Sequence, residues 1–172
     1  MILRLITPSR VAATLAGLDP AELAAGGIRG VILDLDNTIL PWGESTPPPE
    51  VQVWVQQLRA VGLAGCIVSN NFSLRVRRVG TMLGIPVVGW ALKPVPVGFW
   101  RAMAIMGTRP ETTALIGDQL FTDVLGGNLL GMHTILVEPL SQDEFPTTRL
   151  VRRIERLIRA RVVKRVRGPE GL

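Results

Sequence analysis

Cysteine is scarce in this sequence: its single thiol, Cys66, lies within an apolar stretch. One cysteine cannot form an internal disulfide, so a reducing compartment such as the cytoplasm is the expected location. Only 19% of the residues are charged and 47% are hydrophobic, which excludes a disordered chain. No apolar run approaches the ~18 residues of a membrane-spanning helix. Pro8 interrupts the N-terminal apolar residues too early for a signal peptide.

Apolar strand-like and helix-like segments alternate along the chain. Its 172 residues are enough for one domain with a buried core, and we expect residues 1–172 to form that single domain. The predicted strands are 31–33, 63–68, 86–89, 113–116 and 133–137. The predicted helices are a short one from Asp19, then 47–60, 73–83, 96–106 and 121–130, the last broken at Gly126 and Gly127. This alternation predicts an α/β fold with a central parallel five-stranded sheet and helices on both faces.

Two acids follow the first predicted strand, in the pentapeptide Asp34-Leu35-Asp36-Asn37-Thr38. Residues two apart in a strand share a face, so Asp34 and Asp36 can point the same way. Buried carboxylates are costly without a positive partner, so the pair suggests a bound cation. One carboxylate can attack a phosphorus while the other handles a proton. The alternative is an ordinary turn, in which Asp and Asn are common.

Three further signals follow later strands. Ser69, with Asn70 and Asn71, offers a hydroxyl and backbone amides to a phosphate, although the same residues could cap the next helix. Lys93 follows the third predicted strand and on its own would be read as a surface charge. Asp118 and Asp123 follow the fourth predicted strand, and capping does not explain Asp123. In an open parallel sheet these groups converge at the strands' carboxyl ends.

These four motifs, in this order, resemble those of the haloacid dehalogenase superfamily, subclass IIIA, in the YqeG-like family. The resemblance covers residues 28–149, and the longer strings at 69–71 and 117–128 are typical of that family. It implies the superfamily's Rossmann-like three-layer fold. The family is similar to the mitochondrial type of phosphatidylglycerophosphate phosphatase, which shares the Asp-Leu-Asp-Asn-Thr signature.

The resemblance also implies a role for each motif residue. Asp34 is expected to be the nucleophile that forms an aspartyl-phosphate, and Asp36 the general acid and base. The expected Mg²⁺ ligands are the Asp34 carboxylate, the Asp36 backbone carbonyl and Asp118. Asp123 is expected outside these ligands, where it binds a metal-bound water or orients Lys93. The expected phosphate-binding groups are Ser69, the amide of Asn70, and Lys93.

The C-terminal region is strongly basic and amphipathic. Arginines alternate there with apolar residues at helical spacing, which predicts a basic amphipathic helix at about 147–167. Such a helix can contact an anionic membrane peripherally, or it can pack its apolar stripe on the domain and leave the arginines in water. A nucleic-acid or ribosome-associated role is a third alternative, although the sequence contains no RNA-recognition motif.

The gaps between motifs leave no room for a cap domain. Asp36 and Ser69 are separated by little more than a loop and one helix, and Ser69 and Lys93 by one helix and one strand, so neither gap holds an extra domain of ~50 residues. We therefore expect an open site that suits a bulky phosphorylated substrate, with a lipid phosphate favoured by the resemblance. A soluble sugar, nucleotide or protein phosphate is the alternative.

Trp42 could contact the leaving group or only pack its loop. His133 is expected to be structural. The sequence leaves the oligomeric state open.

Overall fold

A computed structural model describes residues 2–141 and 149–167 of the chain. In chain order its elements are α1 (Ile2–Leu5), β1 (Arg10–Ala12), α2 (Pro20–Ala25), β2 (Gly30–Leu33), α3 (Pro49–Ala60), β3 (Ala64–Val68), α4 (Leu74–Leu83), β4 (Val87–Val88), α5 (Val97–Met106), a 3₁₀ turn (Pro110–Thr112), β5 (Thr113–Gly117), a π-helical turn (Leu120–Val124), α6 (Leu125–Leu130), β6 (His133–Val137) and α7 (Arg149–Arg167). Among these residues, no helix is both long enough and apolar enough to cross a bilayer.

The strands form one parallel sheet in the order β1-β6-β5-β2-β3-β4. The predicted α/β architecture is confirmed, but the sheet has six strands and not five. The additional strand is β1 at the edge, where Arg10–Ala12 pairs with residues 135–137 of β6. These three residues are only half-buried and show no apolar alternation, so the sequence carries no local strand signal there.

Two apolar layers cover the faces of the sheet. Residues of β2 are buried on both faces, as a central parallel strand requires. Val31 and Leu33 face the layer formed with α3 and α4, and Ile32 faces the layer formed with α5. The side chains of β2 therefore pack alternately in the two apolar layers.

Helix α6 is continuous, contrary to the predicted break at Gly126 and Gly127. A Cβ on Gly127 would lie 2.4 Å from the Thr134 methyl group, and one on Gly126 would lie 2.5 Å from the Phe99 ring. The two glycines therefore let the helix approach the sheet and α5 closely, and they do not end it.

The chain changes direction across the sheet at β2. From β2 it runs outward through β3 and β4, then returns to the other side of β2 as β5. A crevice at the carboxyl end of such a switch point is the usual ligand site of an open α/β sheet. Between Asp36 and Ser69 the helices and strands are α3 and β3, and between Ser69 and Lys93 they are α4 and β4, so neither of these two gaps contains a cap domain.

Candidate active site

Side chains from four segments meet at the carboxyl ends of the central strands. Asp34 directly follows β2, Ser69 follows β3 and Asp118 follows β5, while Lys93 comes from the loop after β4. All four are buried. The parallel register, in which the Asp34 amide donates to the Ile116 carbonyl at 2.9 Å, holds the ends of β2 and β5 side by side.

Lys93 lies between two carboxylates. Its Nζ donates to Asp34 Oδ1 at 2.5 Å and to Asp123 Oδ1 at 2.8 Å, and its side chain is 4% exposed. Burial by itself would lower the pKa of Lys93, but the carboxylates of Asp123 and Asp34 outweigh it and raise that pKa above its ordinary value. Lys93 is thus a fixed cation of the site and not a surface charge.

Asp123 is fixed by neighbours on both of its carboxylate oxygens. Oδ1 accepts from Lys93, and Oδ2 accepts from the Gln119 amide at 3.2 Å. Burial raises the pKa of Asp123 to about 6, because one lysine shared with Asp34 offsets only part of the desolvation. A Cβ on Gly117 would lie 2.4 Å from the Asp123 carboxylate carbon, so Gly117 provides the space that this carboxylate occupies.

The donor set fits a divalent cation. Asp34, Asp118 and Asp123 are all buried, and each offers a carboxylate oxygen within 4.8 Å of the others. Asp34 Oδ2 is buried and accepts no hydrogen bond from residues 2–141 or 149–167. Three buried carboxylates and one lysine leave an excess of negative charge, and all-oxygen donors are those that Mg²⁺ prefers. The arrangement therefore suits the predicted Mg²⁺.

Asp36 has a partner that the sequence did not reveal. Arg75 Nη2 donates to Asp36 Oδ1, and Arg75 Nη1 donates to the Glu44 carbonyl at 2.8 Å. Burial raises the pKa of Asp36, and the Arg75 guanidinium offsets only part of this rise. A raised carboxyl pKa suits a group that must carry a proton. Arg75 lies in the first turn of α4, where a positive charge interacts unfavourably with the helix dipole. This unfavourable position is the signal in the sequence that Arg75 makes another contact.

Ser69 and Asn70, two of the residues predicted to bind phosphate, lie in a segment that contacts the loop of Lys93. Ser69 is buried, and its Oγ accepts from the Asn71 amide at 3.1 Å. The Asn70 side chain clamps the backbone of Lys93, since Oδ1 accepts from the Lys93 amide at 2.6 Å and Nδ2 donates to its carbonyl at 3.3 Å. Asn70 therefore positions Lys93, a contact that the sequence did not predict.

The loop after the acid pair is held by Asn37. This residue adopts a left-handed backbone with φ of 66°. Its Oδ1 accepts from the Trp42 amide at 3.2 Å and from Ser141 Oγ at 2.7 Å. These contacts join the start of the loop to Trp42 and to Ser141. His133, by contrast, is the first residue of β6 and lies at the amino end of that strand, whereas the site lies at the carboxyl ends of the strands.

Helix α7 packs against the loop that carries Asp118 and Asp123. The buried Glu155 carboxylate accepts from the amides of Leu120 and, at 3.1 Å, Phe121. Arg159 Nη1 donates to the Asp118 carbonyl at 2.8 Å, and Nη2 donates to the Val137 carbonyl at 2.7 Å. Part of helix α7 between residues 155 and 166 thus packs on the domain, which was one of the two alternatives for this helix.

Comparison with known proteins identifies relatives of this chain. The HAD-hydrolase-like family model matches residues 91–141. The chain is 37% identical over 158 residues to the probable phosphatase YqeG of Bacillus subtilis, covering 92% of both chains. It is 30% identical over 161 residues to the chloroplastic phosphatidylglycerophosphate phosphatase 1 of Chlamydomonas reinhardtii, covering 88% of this chain and 60% of that protein.

Solved structures share the fold. One is the 3-deoxy-D-manno-octulosonate 8-phosphate phosphatase of Yersinia pestis, with a TM-score of 0.51 and 20% sequence identity. The match covers 90% of this chain and 91% of that one. At this identity the likeness concerns the arrangement of strands and helices.

Proposed function

Because the chain belongs to the haloacid dehalogenase superfamily, as a phosphatase of the YqeG-like family, we propose that it hydrolyses phosphatidylglycerophosphate through an aspartyl-phosphate on Asp34. The observation that carries the chemistry is the buried cluster in which Lys93 joins Asp34 and Asp123, with no hydrogen bond to Asp34 Oδ2 from the described residues. The observation that favours the substrate is the similarity to three phosphatidylglycerophosphate phosphatases.

In the first half-reaction an Asp34 carboxylate oxygen attacks phosphorus. The bond from phosphorus to the leaving oxygen breaks, and Asp36 gives its proton to that oxygen. The raised pKa of Asp36 keeps a larger fraction of the carboxyl protonated for this step. Arg75 orients the Asp36 carboxyl by its hydrogen bond.

In the second half-reaction the Asp36 carboxylate removes a proton from water. The water oxygen attacks phosphorus, the bond between phosphorus and Asp34 breaks, and inorganic phosphate leaves. Ser69 and the Asn70 amide bind phosphoryl oxygens throughout, and Lys93 neutralises charge on Asp34 and on the phosphoryl group.

Mg²⁺ would be held by the carboxylates of Asp34 and Asp118 and by the Asp36 carbonyl, and when bound it supplies positive charge to the phosphoryl oxygens. Asp123 orients Lys93, and its carboxylate would also accept hydrogen bonds from water bound to the cation.

The test is a phosphatase assay on the full chain with Mg²⁺, comparing phosphatidylglycerophosphate in detergent micelles with a panel of sugar, nucleotide and protein phosphates. We expect the lipid phosphate to give the highest kcat/KM, and Asp34→Asn to abolish turnover of every substrate. A higher kcat/KM for one of the other phosphates would overturn the substrate proposal. Mg²⁺-dependent turnover by Asp34→Asn would overturn the mechanism.

A further inference from the structure

We propose that this protein docks on anionic membranes through an apolar rim beside the active site, formed by Trp90, Leu92, Val95, Val97 and Trp100. The inference deepens the proposed function, because a phosphatase that acts on a lipid must reach a phosphate at the bilayer surface. It assigns that contact to the β4–α5 segment, whereas the basic C-terminal helix is the segment that its sequence pattern would suggest.

The rim consists of large apolar side chains in water. Trp90 is 66% exposed, Leu92 65% and Trp100 49%. Val97 and Trp100 are three residues apart on α5 and therefore share a face of that helix. Exposed apolar residues concentrated in one short stretch mark an interaction surface more often than scattered ones do.

The rim belongs to the same segment as Lys93. Ala91 and Lys93 are buried, while Trp90 and Leu92 are exposed, so the loop alternates between the site and the solvent. The loop is fixed on the active-site side, because the Ala91 amide donates to the Ser69 carbonyl at 3.1 Å. A surface that contacts the rim would thus lie beside the crevice that leads to Lys93.

The backbone gives no reason for large residues at these positions. Trp90 and Leu92 both have a left-handed backbone, with φ of 50° and 54°. Glycine would adopt that conformation without steric cost, whereas a bulky side chain is strained there. Neither burial nor backbone preference favours Trp90 and Leu92, so a contact outside the domain accounts for them.

Charge identifies the partner as an anionic surface. Residues 51–110 contain no aspartate or glutamate, and of their six arginines Arg75 pairs with Asp36 of the active site. Arg101 is exposed next to Trp100, and the exposed Arg77 lies over the Phe72 ring at 4.8 Å from its centroid. Tryptophan favours the membrane–water interface, and arginine favours anionic headgroups, so the two together fit an anionic bilayer better than a neutral protein surface.

Helix α7 is less suited to this role in the part that the structure describes. Val162 is buried, Ile158 is half-buried, and both pack against the domain with Leu120 and Leu136. Arg159 is committed to backbone carbonyls of the domain. The apolar residues of α7 at these positions therefore stabilise the fold and do not face a bilayer.

The experiment measures binding of the full chain to vesicles without substrate. Vesicles of phosphatidylcholine with phosphatidylglycerol are compared with pure phosphatidylcholine, and brominated acyl chains report tryptophan insertion by fluorescence quenching. The variants are Trp90→Ser and Leu92→Ser. The matched control is Leu129→Ser, since Leu129 is 56% exposed and lies near the end of α6, outside the rim. Thermal unfolding of each variant verifies its fold.

We expect the wild type to bind the anionic vesicles and its tryptophan fluorescence to be quenched. Because burying a large apolar side chain is worth at least a tenfold change in affinity, each rim variant should bind about tenfold more weakly. Leu129→Ser should bind like the wild type. Equal losses in Leu92→Ser and Leu129→Ser, no vesicle binding by the wild type, or binding without quenching would overturn the proposal.

Two outcomes separate this inference from the proposed function. Hydrolysis of phosphatidylglycerophosphate in micelles without any vesicle binding would overturn the docking surface and leave the activity standing. Rim-dependent vesicle binding without hydrolysis of that lipid would do the reverse. If the rim is instead the interface of a homodimer, the wild type will be dimeric and the rim variants monomeric by light scattering, which also overturns the membrane proposal.

Discussion

Replacing Glu155 by alanine tests how helix α7 is joined to the active site. The buried Glu155 carboxylate accepts the amides of Leu120 and Phe121, between Asp118 and Asp123. Its removal leaves two backbone donors without that acceptor, and each buried donor that loses its acceptor costs about 1–3 kcal/mol. Because the half-buried Phe121 can also reach water, we expect the free energy of unfolding to fall by about 2–4 kcal/mol. For a domain of this size that corresponds to a Tm lower by about 4–16 °C.

The assay pairs urea and thermal unfolding with a calorimetric Mg²⁺ titration of the same variant. If Glu155 positions the loop, Glu155→Ala weakens Mg²⁺ binding as well as stability. The control is Glu138→Ala, because the Glu138 carboxylate is 50% exposed and pairs with Arg159 at 3.1 Å. Loss of such an exposed pair should cost under about 1 kcal/mol. A Glu155→Ala protein as stable as the wild type would refute the packing of α7 and restore the alternative of a helix free to bind a membrane.

Three further changes test the site and its surroundings. Asp36→Asn should impair hydrolysis most for alkyl phosphates, whose leaving oxygen needs a proton, and equal losses for alkyl and nitrophenyl phosphates would contradict an acid role. Gly117→Ala should displace Asp123 and weaken Mg²⁺ binding in calorimetry, since the new Cβ would lie 2.4 Å from the Asp123 carboxylate carbon; unchanged affinity would show that this carboxylate does not need its present position. Burial raises the pKa of the Cys66 thiol to about 12, so the unfolded chain loses that proton first and stability should fall as the pH rises from about 9 to 12. The slope is up to about 1.4 kcal/mol per pH unit, and it should be shallower in Cys66→Ala if the thiol is its source.

The meeting of the site residues could be predicted because the carboxyl ends of parallel strands lie at the same end of the sheet. Asp34, Ser69 and Asp118 each follow an apolar strand, so the sheet brings them together without any knowledge of side-chain contacts. The order of the motifs predicted that Lys93 lies in the site. The structure shows that two hydrogen bonds from the Asn70 side chain to the Lys93 backbone hold it there.

Other features depend on contacts between distant segments. Strand β1 exists through its pairing with β6, more than a hundred residues away, and its own residues show no strand pattern. Arg75 donates a hydrogen bond to the Asp36 carboxylate, 39 residues away in the sequence. The apolar stripe of α7 was visible in the sequence, but the surface that covers Val162 was not, because periodicity shows which face is apolar and not what it contacts.

The most direct test of the central claim is to identify the residue that carries the phosphoryl group. The enzyme is mixed with radiolabelled substrate and Mg²⁺, quenched in acid within one turnover and treated with borohydride, which reduces an aspartyl-phosphate to homoserine. Peptide mass spectrometry should then find homoserine at position 34 in the wild type and not in Asp34→Asn. Homoserine at another position, or turnover with no covalent label at any quench time, would contradict Asp34 as the nucleophile.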